Sequence, residues 1–146
     1  MKTNGKQQMG RFSVDVEIAN NQDLAGVKFG ALQPAKVRRQ TIRGVVDCGA
    51  TRLVFPQALA RELGLPIRKK KVRVRYADGR QAMRMEVDDV RLFLLGRDGI
   101  FTAVVEPKCD TALIGAIVLE DLDLLVDSAK SRLLPRDPDY VVSEIE

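Results

Sequence analysis

Residues 44–51 read Gly44-Val45-Val46-Asp47-Cys48-Gly49-Ala50-Thr51. A β-branched run that ends on an acid and then a glycine describes a strand that enters the protein interior and turns there. Behind Val45 and Val46, the Asp47 carboxylate is expected at the edge of the apolar interior, where a charge without a partner is costly. Gly49 allows tight backbone geometry and close approach by a ligand or a second chain. These residues alone support two readings. Asp47 is either a turn acid bonded to its own backbone, a common arrangement for Asp, or a carboxylate placed for chemistry.

Upstream of this stretch, Phe12, Val14, Val16 and Ile18 alternate with Ser13, Asp15 and Glu17, which predicts a strand with one apolar face. Residues 20–34 are rich in Asn, Gly and Gln and read as a long loop. Residues 37–47 run from a basic alternating segment into the apolar stretch. Downstream, Pro56 to Leu63 reads as a short helix with Pro56 at its first position, Leu59 and Leu63 on one face, and Gly64 ending it. Val72, Val74 and Tyr76, then Asp78-Gly79, then Met83, Met85 and Val87 predict a hairpin. A second hairpin is expected over 90–105, turning around Arg97-Asp98-Gly99. Thr111 to Gly115 reads as a small strand, Ala116 to Leu122 as a short helix, and 124–134 as a closing hairpin. Short strands at regular spacing with one or two short helices predict an all-β fold, a closed and mainly antiparallel barrel.

The chain of 146 residues has 45% hydrophobic and 30% charged residues, the balance of one globular domain. That domain is expected over 11–136, with a flexible segment at 1–10 and a tail at 137–146. There is no histidine, which removes Ser-His and Cys-His catalysis and the usual zinc ligands. Cys48 and Cys109 fit no metal or redox spacing and suggest free thiols in a reducing compartment. No apolar run is long enough to span a membrane, and no apolar stretch follows Lys2 and Lys6 to make a secretory signal. A soluble cytoplasmic protein is the expectation. The net charge of +4 owes much to Arg68, Lys69, Lys70, Lys71, Arg73 and Arg75. From Val72 to Tyr76 these cations alternate with apolar residues, so Arg73 and Arg75 are expected on the solvent face of a strand. No aromatic interleaves with the run, so no nucleic-acid partner is expected.

Val45-Val46-Asp47-Cys48-Gly49-Ala50-Thr51 resembles the apolar-apolar-Asp-(Thr/Ser)-Gly-Ala signature of the retropepsin-like aspartic proteases. Ala112-Leu113-Ile114-Gly115 is similar to the segment of that family that wraps beside its catalytic loop, and a short helix follows as the family pattern requires. Tyr76-Ala77-Asp78-Gly79-Arg80 stands where the family has its flap. The resemblance covers about Phe12 to Pro135 and looks most like the single-domain bacterial members. It implies that Asp47 is the catalytic carboxylate of an aspartic endopeptidase and that Cys48, Gly49, Ala50 and Thr51 form the active-site loop. It also implies a flap at residues 76–80, Leu113, Ile114 and Gly115 as the neighbouring segment, no metal, and no cofactor.

That chemistry needs two carboxylates around one water. Asp-x-Gly occurs once in the chain, so a homodimer with one half-site per chain is expected, acting on polypeptide in extended form. Cys48 departs from the family pattern. Its thiol is a weaker donor and acceptor than Thr or Ser, which predicts a looser tie between the two loops. Ala50 provides no hydroxyl to favour the ionised carboxylate, which predicts activity closer to neutral pH. Ala116-Ile117 lacks the polar brace of retroviral relatives, with Arg52, Glu120 and Asp121 as candidate substitutes. A module of the same fold that binds peptide and cuts weakly or not at all is the alternative.

Overall fold

The computed structural model describes residues 11–146; the flexible segment expected at 1–10 lies outside them. In chain order the strands are β1 (Arg11–Asn20), β2 (Arg39–Asp47), β3 (Leu53–Pro56), β4 (Val72–Arg75), β5 (Gln81–Arg84), β6 (Glu86–Leu94), β7 (Arg97–Glu106), β8 (Ala112–Ile114), β9 (Leu124–Asp127) and β10 (Arg132–Pro135). Three short α-helices join them: α1 (Asn21–Lys28), α2 (Gln57–Glu62) and α3 (Ala116–Asp121).

Six strands close into a barrel in the order β1-β2-β8-β3-β7-β6, and β6 pairs back onto β1. Most pairings are antiparallel, as expected. The exceptions, β2 with β8 and β3 with β7, are parallel. The alternation in β1 places Val16 and Ile18 in the interior, where they meet Val46, Leu53, Phe55, Leu92, Ile114 and Val118. Phe55 and Ile18 are completely enclosed, and burying side chains of this size contributes about 1.5–3 kcal/mol each.

Several expectations are corrected. Residues 20–34 are not a loop throughout, because α1 occupies 21–28. Asn20 caps it, accepting from the Asp23 N–H at 3.1 Å and donating to the Leu63 carbonyl at 2.9 Å. The helix buries none of its residues, so it lacks the apolar stripe that reveals a helix in sequence. Pro56 is the last residue of β3 and the cap of α2 rather than its first turn; Gly64, at φ +61°, ends the helix. The β6–β7 turn falls at Leu95-Gly96, both at positive φ, and not around Gly99. A two-residue turn of that hand matches the twist of its strands, leaving Asp98 and Gly99 paired within β7.

Two ribbons stand outside the barrel: β9–β10 and β4–β5. On β4–β5, Arg73 and Arg75 face solvent as expected. Met83 does too, because the register sets it opposite Arg73, while Ala82 and Arg84 take the inner face with Val72 and Val74. The tail after β10 folds back on the body. The Asp123 carboxylate accepts from Arg136 Nε at 2.7 Å and from the Val142 N–H at 3.0 Å. Arg97 donates to the carbonyls of Leu122, Asp123 and Tyr140. The Val142 N–H and the Arg136 guanidinium hold the Asp123 carboxyl below the usual aspartate value.

Candidate active site

The β1–β2 ribbon runs in register from Ala19↔Arg39 to Arg11↔Asp47. It therefore delivers Asp47 to the end of a barrel strand, with Arg11 Nε 3.6 Å from its Oδ2. Asp47 Oδ1 accepts the Gly49 N–H at 3.0 Å, and the Asp47 carbonyl accepts the Ala50 N–H at 3.1 Å. This is the turn-acid bond considered from sequence, and it leaves Oδ2 to the Arg11 guanidinium. Asp47 is half-buried while Cys48 and Gly49 are exposed, so the turn presents its acid at the surface of the domain.

The turn is clamped from beneath. β8 lies parallel to β2 with Val45↔Leu113 and Val46↔Ile114, and Leu113 also pairs with Val54 of β3. β8 is thus wedged between the strand entering the turn and the strand leaving it. The start of α3 then bonds to the turn itself: the Ala116 N–H to the Ala50 carbonyl at 2.8 Å and the Ile117 N–H to the Thr51 carbonyl at 3.0 Å. Gly115 makes this approach possible, since a Cβ there would lie 2.3 Å from the Arg52 carbonyl oxygen and 2.7 Å from that of Ala50. The structure therefore brings Asp47, Cys48, Gly49, Ala50 and Thr51 together with Leu113, Ile114 and Gly115, two segments far apart in sequence.

Tyr76-Ala77-Asp78-Gly79-Arg80 forms the tip of the β4–β5 ribbon. The Tyr76 N–H bonds to the Arg80 carbonyl and the Gly79 N–H to the Tyr76 carbonyl, both at 2.9 Å, with Gly79 at φ +89°. Asp78 accepts from Arg80 Nε at 2.8 Å. That pair lowers the Asp78 carboxyl pKa and raises that of Arg80.

Residues 33–121, more than half of the chain, match the family described as "gag-polyprotein putative aspartyl protease". The chain belongs to this family. Among solved structures, 217 chains match. One is EIAV protease complexed with the inhibitor HBY-793, at 18% identity over 77% of this chain and 88% of that one, with a TM-score of 0.54. That likeness is one of fold, the retropepsin-like barrel expected from the sequence. No curated protein matches.

Within this aspartyl protease domain, several polar partners were not apparent from sequence. Arg52, a candidate brace, bonds through its guanidinium to Glu86 of its own chain, and Arg68 Nη1 lies 3.5 Å from the same carboxylate. Glu86 is buried at 3% exposure, which requires such partners. Glu120 and Asp121, the other candidates, line a cavity of about 650 Å³ with Cys48, Leu125 and Val142. Both cysteines are free thiols. Among the described residues no group of three or more His, Cys, Asp or Glu side chains is placed to hold a metal ion, and no helix is long and apolar enough to cross a membrane.

Proposed function

We propose that two copies of this chain form an aspartic endopeptidase whose two Asp47 carboxylates share one proton and activate one water. The observation that carries this reading is the clamped turn. A half-buried carboxylate accepts the Gly49 N–H, faces the Arg11 guanidinium with its other oxygen, and sits in a turn whose Ala50 and Thr51 carbonyls accept N–H groups from the segment after Gly115. A turn built only to end a strand needs no second segment beneath it.

The chemistry follows from two acids a few Å apart, which cannot both ionise. The charged carboxylate takes a proton from the water as its oxygen attacks the scissile carbonyl carbon. The protonated one donates to the carbonyl oxygen, giving a neutral tetrahedral diol. Collapse returns a proton to the leaving nitrogen and breaks the C–N bond. The pair titrates as a unit, and with Ala50 beside it the activity is proposed to lie nearer neutral than acid pH. An extended polypeptide would lie along Gly49, Ala50 and Thr51 under a flap formed by residues 76–80, bound as an added strand. The domain is proposed to comprise 11–136, and the site to need neither metal nor cofactor.

The test is cleavage of an unfolded protein or peptide library by wild type and by Asp47→Asn. The variant is expected to lose activity by about 10²–10⁴-fold while sedimenting as the same dimer. A wild-type dimer that binds peptide without cutting it would favour the binding module, a reading to which the exposed Cys48 thiol gives some weight. Retained cleavage in Asp47→Asn would remove Asp47 from the mechanism.

A further inference from the structure

The β4–β5 ribbon is fixed in two different ways. At the base, backbone bonds hold it: the Val105 N–H to the Met85 carbonyl, the Arg68 N–H to the Glu86 carbonyl, and the Asp88 N–H to the Pro66 carbonyl, each at 2.9 Å. Beyond these backbone bonds, two side chains converge on one carboxylate. Tyr76 Oη donates to Glu106 Oε2, and Arg84 Nε donates to Glu106 Oε1 at 2.8 Å. Tyr76 opens the tip after β4 and Arg84 ends β5 opposite Val72, whereas Glu106 is the last residue of β7, so the tip and the base end of the hairpin are both tied to one carboxylate of the barrel.

Glu106 is well placed to relay position. It is in register with Pro56 at the end of β3, and Leu53↔Ala103 pairs the other end of the same seam. β3 is the strand that leaves the Asp47 turn. The ribbon is thereby referenced, through β7, to the strand that leaves the turn. Tyr76 is also held from its other side, with the Arg80 guanidinium 4.7 Å from the centre of its ring, a distance at which a cation is attracted to the ring face. The Glu106 carboxylate keeps the phenolic proton in place, raising the Tyr76 pKa above the ordinary tyrosine value.

We propose that Glu106 is a positioning residue that latches the flap. The Tyr76–Glu106 contact holds the ribbon tip down while Arg84, at the base end of β5, braces the same carboxylate, and a polypeptide enters after the tip contact breaks and is secured as it re-forms. The latch itself is a property of the fold; its role in substrate binding rests on the endopeptidase reading above. Charge-assisted hydrogen bonds are stronger than neutral ones, so a single carboxylate can bias the ribbon without backbone pairing. The remaining inner-face groups, Val72, Val74 and Ala82, are only half-buried and add little adhesion.

The experiment is amide hydrogen exchange over residues 72–84 in the full-length protein, comparing wild type, Glu106→Gln and Tyr76→Phe, with steady-state cleavage measured alongside. Glu106→Gln removes the charge and leaves one acceptor oxygen where Tyr76 and Arg84 each have their own, and Tyr76→Phe removes one bond while keeping the ring under Arg80. Exchange in the ribbon should rise roughly tenfold in Glu106→Gln and less in Tyr76→Phe, with residues 44–51 unchanged. KM should rise more than kcat falls. Ribbon exchange unchanged in both variants would overturn the latch whether or not the protein cuts peptides. A wild type without peptidase activity but with the expected exchange pattern would sink the endopeptidase reading and leave the latch standing. A fall in kcat at constant KM would overturn the role in substrate capture.

Discussion

The Asp47 turn and the tip of the β4–β5 ribbon are both short glycine-bearing reversals that put an aspartate near the surface. They are held in place by opposite means. The turn is gripped by backbone from another part of the chain: α3 donates two N–H groups into it, and β8 separates its two strands. The ribbon tip is shaped by its own residues and tied down by Tyr76 on Glu106, a carboxylate that Arg84 also holds from the base end of β5. Backbone bonds in a closed seam break only when the seam opens, whereas two side chains can swing free while the fold stays intact. On the proposed reading one region stays and the other moves, the division of labour that a fixed carboxylate and an admitted polymer would require.

The comparison can be broken at its glycines. Gly115 is needed for space, because an added Cβ meets two backbone carbonyls that cannot rotate away. Gly115→Ala should lower the unfolding free energy by about 2–3 kcal/mol and dislodge the Asp47 turn. An unchanged urea midpoint would end the clamp account. Gly79 is needed for conformation, because its φ is +89° and nothing lies within 4 Å of the added carbon. Gly79→Ala should cost about 1 kcal/mol, confined to the ribbon and visible as faster local exchange. If the global midpoint drops as far as in Gly115→Ala, the two regions are not independent. The smallest effect concerns the turn's proposed tie to a second copy. Cys48→Thr should tighten the dimer by about 1 kcal/mol, close to a fivefold lower Kd, and an unaltered Kd by sedimentation would show that residue 48 does not bear on assembly.

These two regions were also unequally legible in the sequence. The turn was readable because its signals are local or come in matched pieces: an apolar run before Asp47, Gly49 after it, and Leu113-Ile114-Gly115 to lie beneath. The ribbon tip was readable for the same reason, since Asp78-Gly79 is a turn on any scaffold. Its attachment was not. Tyr76 and Glu106 are 30 residues apart, and nothing in either neighbourhood specifies the other. The inner face of the ribbon misled as well, because Met83 and Met85 suggested an apolar side where the register sets Arg84. Helix α1 was missed because it is held by the Asn20 cap and by contacts at its ends, with no buried stripe to repeat every third or fourth residue.

The closed barrel leaves each of its six strands with a neighbour on both sides. The β4–β5 ribbon has no such protection and offers free backbone along its outer edges, which makes it a surface where stray strands could stack into aggregates. Its charges bear on that hazard. At the tip, Arg80 is neutralised by Asp78. Along the body and lead-in, Lys69, Lys70, Lys71, Arg73 and Arg75 are exposed and form no ion pair among the described residues. Two such ribbons brought edge to edge would repel, while a neutral or acidic strand would meet no such barrier. The basic run thus acts as a colloidal safeguard, keeping an open strand edge available without letting copies of the protein polymerise through it.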